Sequence, residues 1–273
     1  MDFDPDTYEK TSFDAILPAK KLIESIKAKN ETNNKYTIVL DVGCGPGNTA
    51  KMLAEELQPE QVIGVDIDPE MVSFARTNNS MENNKYYTQD VSRHWDDWDV
   101  ELKRLAGKVS VIFSNYALHW VQNSETTANN FAKLLSSNGI VVFDFLNVGD
   151  IYRLISPELR TEYEQWLRYP TEQEIIGRWI TDLKNVGLTN IEMKYWEPIS
   201  IYPIKVYDEF INIPIKWFKQ YLNDQKVPKN VSVDDILKEL ILKERGRIMA
   251  EKCPKGDDLI EIRQHLWEFV VKK

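Results

Sequence analysis

Three glycines and two acidic residues near the start of the chain have the spacing of a site for a nucleotide cofactor. Gly43, Gly45 and Gly47 follow a β-branched apolar run that contains Asp41, and Asp66 ends a second apolar run. Glycines let the backbone approach a ligand closely and turn sharply into a helix. A carboxylate at the end of the second strand can accept two hydrogen bonds from a ribose diol. The pattern therefore predicts a nucleotide-cofactor site in which Asp66 holds the ribose.

The glycine spacing argues against a nicotinamide dinucleotide as the cofactor. A dinucleotide loop has the pattern G-x-G-x-x-G, whereas this loop is G-x-G-x-G and has Asn48 where the third glycine would stand. Asp66 would also repel the extra phosphate of a dinucleotide phosphate. Cys44 lies inside the loop, and we interpret it as a small residue that fits there rather than as a nucleophile.

Strands and helices alternate around this loop, which predicts an α/β fold with a doubly wound, mostly parallel sheet. The predicted strands are Thr37–Val42, Val62–Asp66, Tyr86–Thr88, Val109–Ser114, Ile140–Leu146, Asn190–Tyr195 and Ile260–Val271, the last of them antiparallel to its neighbours. The predicted helices are Asp14–Lys29, Asn48–Leu57, Pro69–Arg76, Ser124–Leu135, Ile151–Tyr169 and Glu172–Val186. Ligands of such sheets bind at the carboxyl ends of the strands.

The same pattern divides the chain into four parts. We expect an N-terminal arm and helix in residues 1–35 and a cofactor-binding core in 36–150. A helical cap is expected in 151–170 and 203–254, and completion of the core sheet in 171–202 and 255–273. Aromatic residues are dense after residue 150, so we expect the cap to cover an apolar pocket, with Ile211–Phe218 as a candidate wall.

The combination D-x-G-x-G-x-G plus a ribose acid resembles the class I, seven-stranded S-adenosylmethionine-dependent methyltransferases. Asp41, the three glycines and Asp66 carry this resemblance. It implies that S-adenosyl-L-methionine is the cofactor, that Asp41 holds its amino end, and that the glycines shape the loop around its methionine and ribose. It also implies that Asp90 and Val91 hold the adenine. The other expected cofactor contacts are Cys44, Ile67 and Ser114.

Tyr116, His119 and Trp120 follow the fourth strand, where a methyl acceptor would meet the cofactor, and they are the candidate catalytic residues. A carboxylate acceptor has a pKa of about 4–5, is already ionised, and needs no base. An alcohol or ammonium acceptor would need a base such as His119, an effect worth roughly 10²–10⁴ in rate. For a carboxylate, positioning would dominate, and the indole N–H of Trp120 is a candidate donor to one oxygen.

The segment FSNYALHWV around Tyr116, with DVGCGPG, DIDPEMV and the long apolar cap, resembles the insect juvenile hormone acid methyltransferases. This resemblance implies juvenile hormone biosynthesis and an enzyme that esterifies an apolar isoprenoid or fatty acid, such as farnesoic or juvenile hormone acid. The motifs also occur in other small-acid methyltransferases, including those that resemble trans-aconitate methyltransferase, and a non-catalytic S-adenosylmethionine-binding protein is a further alternative. The insect enzymes have a glutamine after an N-terminal tyrosine that helps to hold the substrate carboxylate. Alignment on Tyr8 puts Ala15 there, which implies another donor or another acceptor.

The composition of the chain limits the classes of partner that we expect it to bind. The net charge of −9 opposes binding to nucleic acid and to anionic membranes, and no apolar run approaches the ~20 residues that span a bilayer. The N-terminus MDFDPDTYEK lacks the features of a signal peptide, so we expect a cytoplasmic protein whose partner is a small apolar acid. Two isolated cysteines and three histidines without ligand spacing predict no disulfide framework and no metal.

Overall fold

The computed structural model describes residues 4–30, 35–146, 170–210 and 258–273, together with residues 219, 232, 238, 253 and 256. The helices are α1 (Pro5–Thr11), α2 (Ile16–Lys29), α3 (Asn48–Leu57), α4 (Pro69–Asn78), α5 (Val100–Lys103), α6 (Ser124–Leu134), α7 (Glu172–Asn185) and α8 (Ile204–Phe210). The strands are β1 (Ile38–Val42), β2 (Gln61–Asp66), β3 (Asn84–Thr88), β4 (Val109–Ser114), β5 (Leu135–Leu146), β6 (Asn190–Trp196), β7 (Ile199–Pro203), β8 (Leu259–Arg263) and β9 (Leu266–Lys272). Short 3-10 helices span Phe13–Ala15, Trp95–Asp97 and Leu118–Trp120.

Seven strands form one sheet in the order β3-β2-β1-β4-β5-β9-β6. Strands β1 to β5 pair in parallel, and β9 runs antiparallel between β5 and β6. This arrangement confirms the predicted doubly wound, mostly parallel sheet and its antiparallel final strand. The strand order reverses between β1 and β4, and open α/β sheets bind their ligands beside such a reversal, at the carboxyl ends of the strands.

Helices cover both faces of this sheet because each carries a stripe of apolar residues. On one face, Leu22 of α2 and Leu53 of α3 belong to the same buried cluster as Val39 of β1. On the other face, Phe131 of α6 and Trp179 of α7 belong to a second buried cluster. The two clusters hold the strands rigidly, so the loops at the carboxyl edge of the sheet start from fixed positions.

The chain divides into two compact units. One consists of Asp4–Leu146, Ile175–Pro198 and His265–Lys273 and contains the seven-stranded sheet. The other consists of Met1–Phe3, Asn147–Glu174 and Ile199–Gln264. Among its described residues, β7 and β8 form an antiparallel two-stranded sheet, and α8 follows β7.

The expectation of a single strand over Ile260–Val271 is wrong. The segment forms two strands, β8 and β9, which belong to different sheets. Apolar and polar residues alternate only roughly along this segment, and such a pattern does not show where one strand ends and the next begins. The expected polar arm also contains α1, which Asp4 caps by accepting the N–H of Thr7 at 2.9 Å.

Several expectations fall outside the described residues. They are the helix at Ile151–Tyr169, the candidate wall at Ile211–Phe218 and most of the cap in 203–254. The four-part division of the chain stays a prediction.

Among the described residues, no helix has the length and hydropathy needed to cross a bilayer. In that same part of the chain, no group of three or more His, Cys, Asp or Glu side chains has the geometry of a metal site. The two cysteines, Cys44 and Cys253, are free thiols and are buried.

Candidate active site

The glycine loop leads the chain from β1 into α3 at the carboxyl edge of the sheet. Gly43, Gly45 and Gly47 have positive φ angles of 72°, 51° and 97°. A Cβ atom on Gly43 would lie 2.2 Å from the Cβ of Ala117, so no side chain fits between this loop and the one after β4. The N–H of Gly43 donates to the carbonyl oxygen of Val65 at 2.8 Å, which ties the loop to β2. The loop therefore presents bare backbone where such sheets bind ligands.

Asp66 ends β2 and is hydrogen-bonded to the glycine loop. Its Oδ2 accepts the N–H of Gly45 at 2.8 Å, and its Oδ1 accepts the N–H of Asp68 at 2.9 Å. Burial raises the pKa of Asp66 above its ordinary value, the two hydrogen bonds act in the opposite direction, and the charge of Asp68 adds to the rise. The carboxyl group is thus fixed in orientation beside the loop, where the sequence predicts that it holds a ribose.

Asp41 lies on the neighbouring strand β1 and is 1% exposed. Its Oδ2 has no hydrogen-bond partner among the described residues. Burial, and to a smaller extent the charge of Asp66, raise the pKa of Asp41 to about 8. A buried carboxyl oxygen without a donor costs free energy until a partner reaches it. Asp41 therefore suits a cationic ligand group such as an ammonium.

Helix α1 brings a tyrosine to the glycine loop. The Cε1 atom of Tyr8 lies 3.7 Å from the position that a Cβ on Gly45 would occupy. Burial raises the pKa of Tyr8, and the negative charges of Asp14 and Asp66 add to the effect. The phenol therefore keeps its proton at neutral pH.

The residues predicted to hold the adenine follow β2 and β3. Ile67 is 53% exposed, which is unusual for an isoleucine, and Val91 is buried. The Oδ1 of Asp90 accepts the N–H of Ser92 at 2.9 Å and its hydroxyl at 2.6 Å, and Oδ2 lies 3.5 Å from Nε of Arg93. The carboxyl group of Asp90 thus shapes its own loop, and its contact with an adenine stays a prediction.

Cys44, within the glycine loop, and Ser114, at the end of β4, are both buried. The hydroxyl of Ser114 donates to the carbonyl oxygen of Val42 at 2.9 Å and so links the ends of β4 and β1. Burial raises the pKa of the Cys44 thiol well above its ordinary value, so it keeps its proton. Direct contact of either side chain with a cofactor stays a prediction.

The loop after β4 carries the three predicted catalytic residues. Tyr116 has a φ of 56°, an uncommon value for a residue with a side chain. Its N–H donates to Oδ1 of Asp144, at the end of β5, at 2.7 Å. Ala117, the next residue, is the one that packs against Gly43. The structure therefore brings the predicted acceptor loop against the predicted cofactor loop.

His119 and Trp120 form adjacent rings in this loop, with centroids 4.5 Å apart. His119 is 5% exposed, and its Nδ1 has no hydrogen-bond partner among the described residues. Burial lowers the pKa of His119 to about 3, so its imidazole is neutral at physiological pH. Such a ring has too little proton affinity to serve as a good base near pH 7.

Two asparagines that sequence reasoning missed connect the N-terminal helices to the site. The Nδ2 of Asn79 donates to Oε1 of Glu9 at 2.8 Å and to the carbonyl oxygen of Pro46 at 2.9 Å. The Nδ2 of Asn115 donates to the carbonyl oxygen of Ala15 at 3.1 Å. The bonds from Asn79 to Glu9 and from Asn115 to Ala15 join residues 70 and 100 positions apart, so no local pattern marks them.

The sheet with its antiparallel strand, the glycine loop after β1 and the acid at the end of β2 define a class I methyltransferase. A sequence model described as a methyltransferase domain matches residues 14–192, and this chain belongs to that family. The protein is therefore an S-adenosylmethionine-dependent methyltransferase, which confirms the class, the cofactor and the enzymatic activity inferred from the motifs.

Two characterised relatives are similar to this chain. Juvenile hormone acid O-methyltransferase from Bombyx mori is 24% identical in an alignment of 268 residues that covers 91% of this chain and 88% of the relative. Trans-aconitate 2-methyltransferase from Escherichia coli O7:K1 is 24% identical over 140 residues, 51% of this chain and 49% of the relative. The match to the second relative thus spans about half of its length.

Solved structures share the fold. The YcgJ protein from Bacillus subtilis gives a TM-score of 0.55 at 16% identity, over 93% of this chain and 98% of that one. Phosphoethanolamine N-methyltransferase 2 from Haemonchus contortus, solved in complex with S-adenosyl-L-methionine, gives 0.51 at 15% identity, over 93% of this chain and 52% of that one. The bare glycine loop and the unpartnered oxygen of Asp41 fit this cofactor, which carries an ammonium group.

Proposed function

We propose that this protein transfers the methyl group to the carboxylate of an apolar isoprenoid or fatty acid, such as farnesoic or juvenile hormone acid. The observation that carries the proposal is the state of His119. Its pKa is lowered to about 3 by burial, whereas deprotonation of an alcohol or ammonium calls for a base poised near pH 7. A carboxylate is already ionised at that pH and needs no base.

The cofactor supplies, when bound, a methyl group on a positively charged sulfur. In our proposal Asp41 holds the ammonium group of the cofactor and Asp66 holds its ribose diol. The glycine loop lies against the methionine and ribose of the cofactor. The proposed adenine contacts are Ile67, Asp90 and Val91. The role of these residues is to fix the cofactor so that its methyl group faces the loop after β4.

The acceptor would lie against Tyr116 and Trp120 in the loop after β4. The indole N–H of Trp120 would donate to one carboxylate oxygen, because Ala15 offers no side-chain donor where the insect enzymes have glutamine. His119 would support the ring of Trp120 as a neutral neighbour, since the two rings are in contact. Rate enhancement would then come from orientation and from the exclusion of water.

Similarity along the chain supports an apolar acid over a small polar one. The match to juvenile hormone acid O-methyltransferase spans 91% of this chain, whereas the match to trans-aconitate 2-methyltransferase spans 51%. The net charge of −9 opposes nucleic acid as a partner, and two isolated cysteines fit a reducing compartment. We therefore propose a small apolar acid as the partner, the cytoplasm as the place of action and juvenile hormone biosynthesis as the setting.

Three acceptors with the same tail test the proposal. Farnesoic acid, farnesol and farnesylamine are each incubated with the protein and methyl-labelled S-adenosylmethionine. We expect label to enter farnesoic acid alone, as a methyl ester that releases labelled methanol in base. Palmitic acid and trans-aconitate, tested in the same way, report on the length and polarity of the tail.

Base-stable label in farnesol or farnesylamine would contradict a carboxylate acceptor. Faster transfer to trans-aconitate than to farnesoic acid would contradict the apolar tail and favour the small polyacid. Calorimetry with S-adenosylmethionine accompanies each assay, so that a failure to bind the cofactor is separated from a failure to methylate a given acceptor.

A further inference from the structure

Two buried carboxyl groups face each other beside the acceptor loop and have no part in the proposed reaction. Asp144 on β5 and Glu268 on β9 are directly opposite in the antiparallel pair. Their exposed fractions are 1% and 2%. Opposite residues of such a pair have Cβ atoms about 4.5–5.5 Å apart, so their carboxyl groups are within reach of each other.

Each of these carboxyl groups uses one oxygen for a named bond. Oδ1 of Asp144 accepts the N–H of Tyr116 at 2.7 Å, and Oε1 of Glu268 accepts the hydroxyl of Ser25 on α2. The other oxygens, Oδ2 of Asp144 and Oε2 of Glu268, are buried and have no hydrogen-bond partner among the described residues. A proton on Oδ2 of Asp144 would give that oxygen a hydrogen to donate toward Glu268.

We propose that Asp144 is a positioning residue that holds the acceptor loop in its working conformation through the N–H of Tyr116. Tyr116 has a φ of 56°, which the loop adopts only if neighbouring contacts hold it there. The bond to Asp144 is such a contact, and Ala117, the next residue, packs on Gly43. Asp144 thereby acts on the acceptor without touching it, and this inference rests on the proposed function.

The surroundings of Asp144 favour its protonated form. Burial raises the pKa of Asp144 to about 8; the N–H of Tyr116 opposes this rise and the charge of Glu268 adds to it. On the neighbouring elements, Lys194 of β6 is opposite Glu268 and is exposed, and the neutral Ser25 comes from α2. Asp14, which is also buried, precedes Ala15, and the carbonyl oxygen of Ala15 accepts the side-chain N–H of Asn115, the residue directly after β4. At neutral pH, Asp144 therefore keeps a proton and remains an acceptor for Tyr116 through Oδ1.

Two variants of the full chain, Asp144→Asn and Asp144→Leu, test the inference. Both remove the acid and branch at Cγ into two terminal heavy atoms, but only asparagine keeps an oxygen that can accept the N–H of Tyr116 and an N–H that can donate to Glu268. Exchange of the Tyr116 amide with solvent is followed by NMR of tyrosine-labelled protein. Asp144→Leu should accelerate this exchange about tenfold, because one hydrogen bond is lost. Asp144→Asn should leave the exchange rate within twofold of the wild type.

Activity provides the second readout. We expect Asp144→Leu to lower kcat/KM for farnesoic acid about tenfold, with the Kd for S-adenosylmethionine within twofold, while Asp144→Asn keeps both. Ser110→Ala is the matched control, since the Ser110 hydroxyl donates to the carbonyl oxygen of Ile38 at 2.9 Å near the opposite edge of the sheet. It should change neither amide exchange at Tyr116 nor kcat/KM.

Several outcomes would overturn the inference. Equal Tyr116 exchange in the leucine variant and the wild type would show that Asp144 does not hold the loop. Equal losses in the leucine and asparagine variants would show that the carboxyl group matters for a reason other than accepting the N–H of Tyr116. If Asp144→Leu does not fold, Asp144→Ala, which also lacks the acceptor, replaces it, and Tyr116 exchange equal to that of the wild type in this variant would contradict the inference. A wild type that methylates no acid, but whose Tyr116 amide responds as expected, would refute the proposed function and leave the positioning role intact.

Discussion

Asp41 shows how a buried acid can prepare a site for a cation. Its carboxyl oxygen Oδ2 is buried without a partner, and burial raises its pKa to about 8. An ammonium group placed beside it would favour the charged form and lower that pKa. Binding of S-adenosylmethionine below pH 8 should therefore release a proton from Asp41 to the solvent.

Calorimetry checks this first prediction. At pH 6.5, titration in two buffers of different ionisation enthalpy should show release of close to one proton per cofactor bound in the wild type. Asp41→Asn should abolish the release and weaken the affinity about tenfold or more, because a hydrogen bond to a charged group is lost. Asp97→Asn, which alters an exposed acid, should change neither. Proton release that persists in Asp41→Asn would assign it to another group.

The second prediction concerns His119. Since burial lowers its pKa to about 3, we expect His119→Gln to retain kcat within about tenfold for a carboxylate acceptor. Steady-state kinetics with farnesoic acid at saturating cofactor measures the effect. A general base contributes roughly 10²–10⁴ in rate, so a hundredfold loss with unchanged cofactor affinity would make His119 a base.

At the residue scale, the sequence predicts the polar groups that lie within motifs and not those that act across the fold. Asp41, Asp66 and the glycines are found because a strand and a turn fix their relative positions within a short segment. Asp144 and Asn79 are missed because their partners, the N–H of Tyr116 and the carboxyl of Glu9, come from distant parts of the chain. The low pKa of His119 also depends on burial, which spacing does not reveal.

At the scale of elements, the glycine loop depends on both backbone angle and space, and two glycines separate these effects. Gly43 and Gly107 have nearly equal φ angles of 72° and 71°. A Cβ on Gly43 would lie 2.2 Å from the Cβ of Ala117, whereas one on Gly107 would meet nothing within 4 Å. Only at Gly43 would a methyl group push apart the cofactor loop and the acceptor loop.

The third prediction follows from this comparison. Gly107→Ala should lower the free energy of unfolding by about 1–2 kcal/mol, because alanine is strained at a left-handed backbone angle. The Kd for S-adenosylmethionine should not change. Gly43→Ala should lower the free energy of unfolding further and reduce cofactor affinity at least about tenfold, since the clash displaces the loop. Urea unfolding and calorimetry give the two quantities. Equal affinity in both variants would mean that contact with Ala117 is unimportant for the site.

Element boundaries show what a one-dimensional pattern can and cannot predict. Strands β1, β2 and β4 and helix α3 agree with the sequence to within a residue, because runs of β-branched residues and a glycine turn are local signals. Strand β5 begins at Leu135, five residues before the expected Ile140. The break between β8 and β9 is missed because alternation depends on which face is buried and not on which sheet a strand joins. Helix α1 has a local signal, Asp4 followed by Pro5, that marks its start.

At the scale of the whole molecule, the raised pKa of Asp144 makes stability depend on pH. The folded state holds a proton up to about pH 8, whereas the unfolded carboxyl has its ordinary pKa of 3.8. Between these values the folded state binds more protons, so this group's contribution to the free energy of unfolding falls as pH rises. The loss is at most about 1.4 kcal/mol for each pH unit.

The fourth prediction is that Asp144→Asn flattens this dependence. Urea unfolding at pH 5.5, 6.5 and 7.5 should show the variant gaining on the wild type as pH rises, because its amide does not titrate. Asp97→Asn, in which the substituted acid is exposed, should run parallel to the wild type. A constant difference between Asp144→Asn and the wild type across these pH values would mean that the proton is not held at Asp144.

The position of β9 also bears on how the protein is synthesised. β5 ends at Leu146, but the strand that covers its free edge begins at Leu266, and the ring of Phe143 stacks on that of Phe269 at 4.6 Å. While the ribosome translates residues 147–265, the nascent chain carries an open strand edge and an uncovered aromatic face, both of which favour aggregation. Chaperone capture should therefore be strongest during that interval and should fall once β9 has emerged.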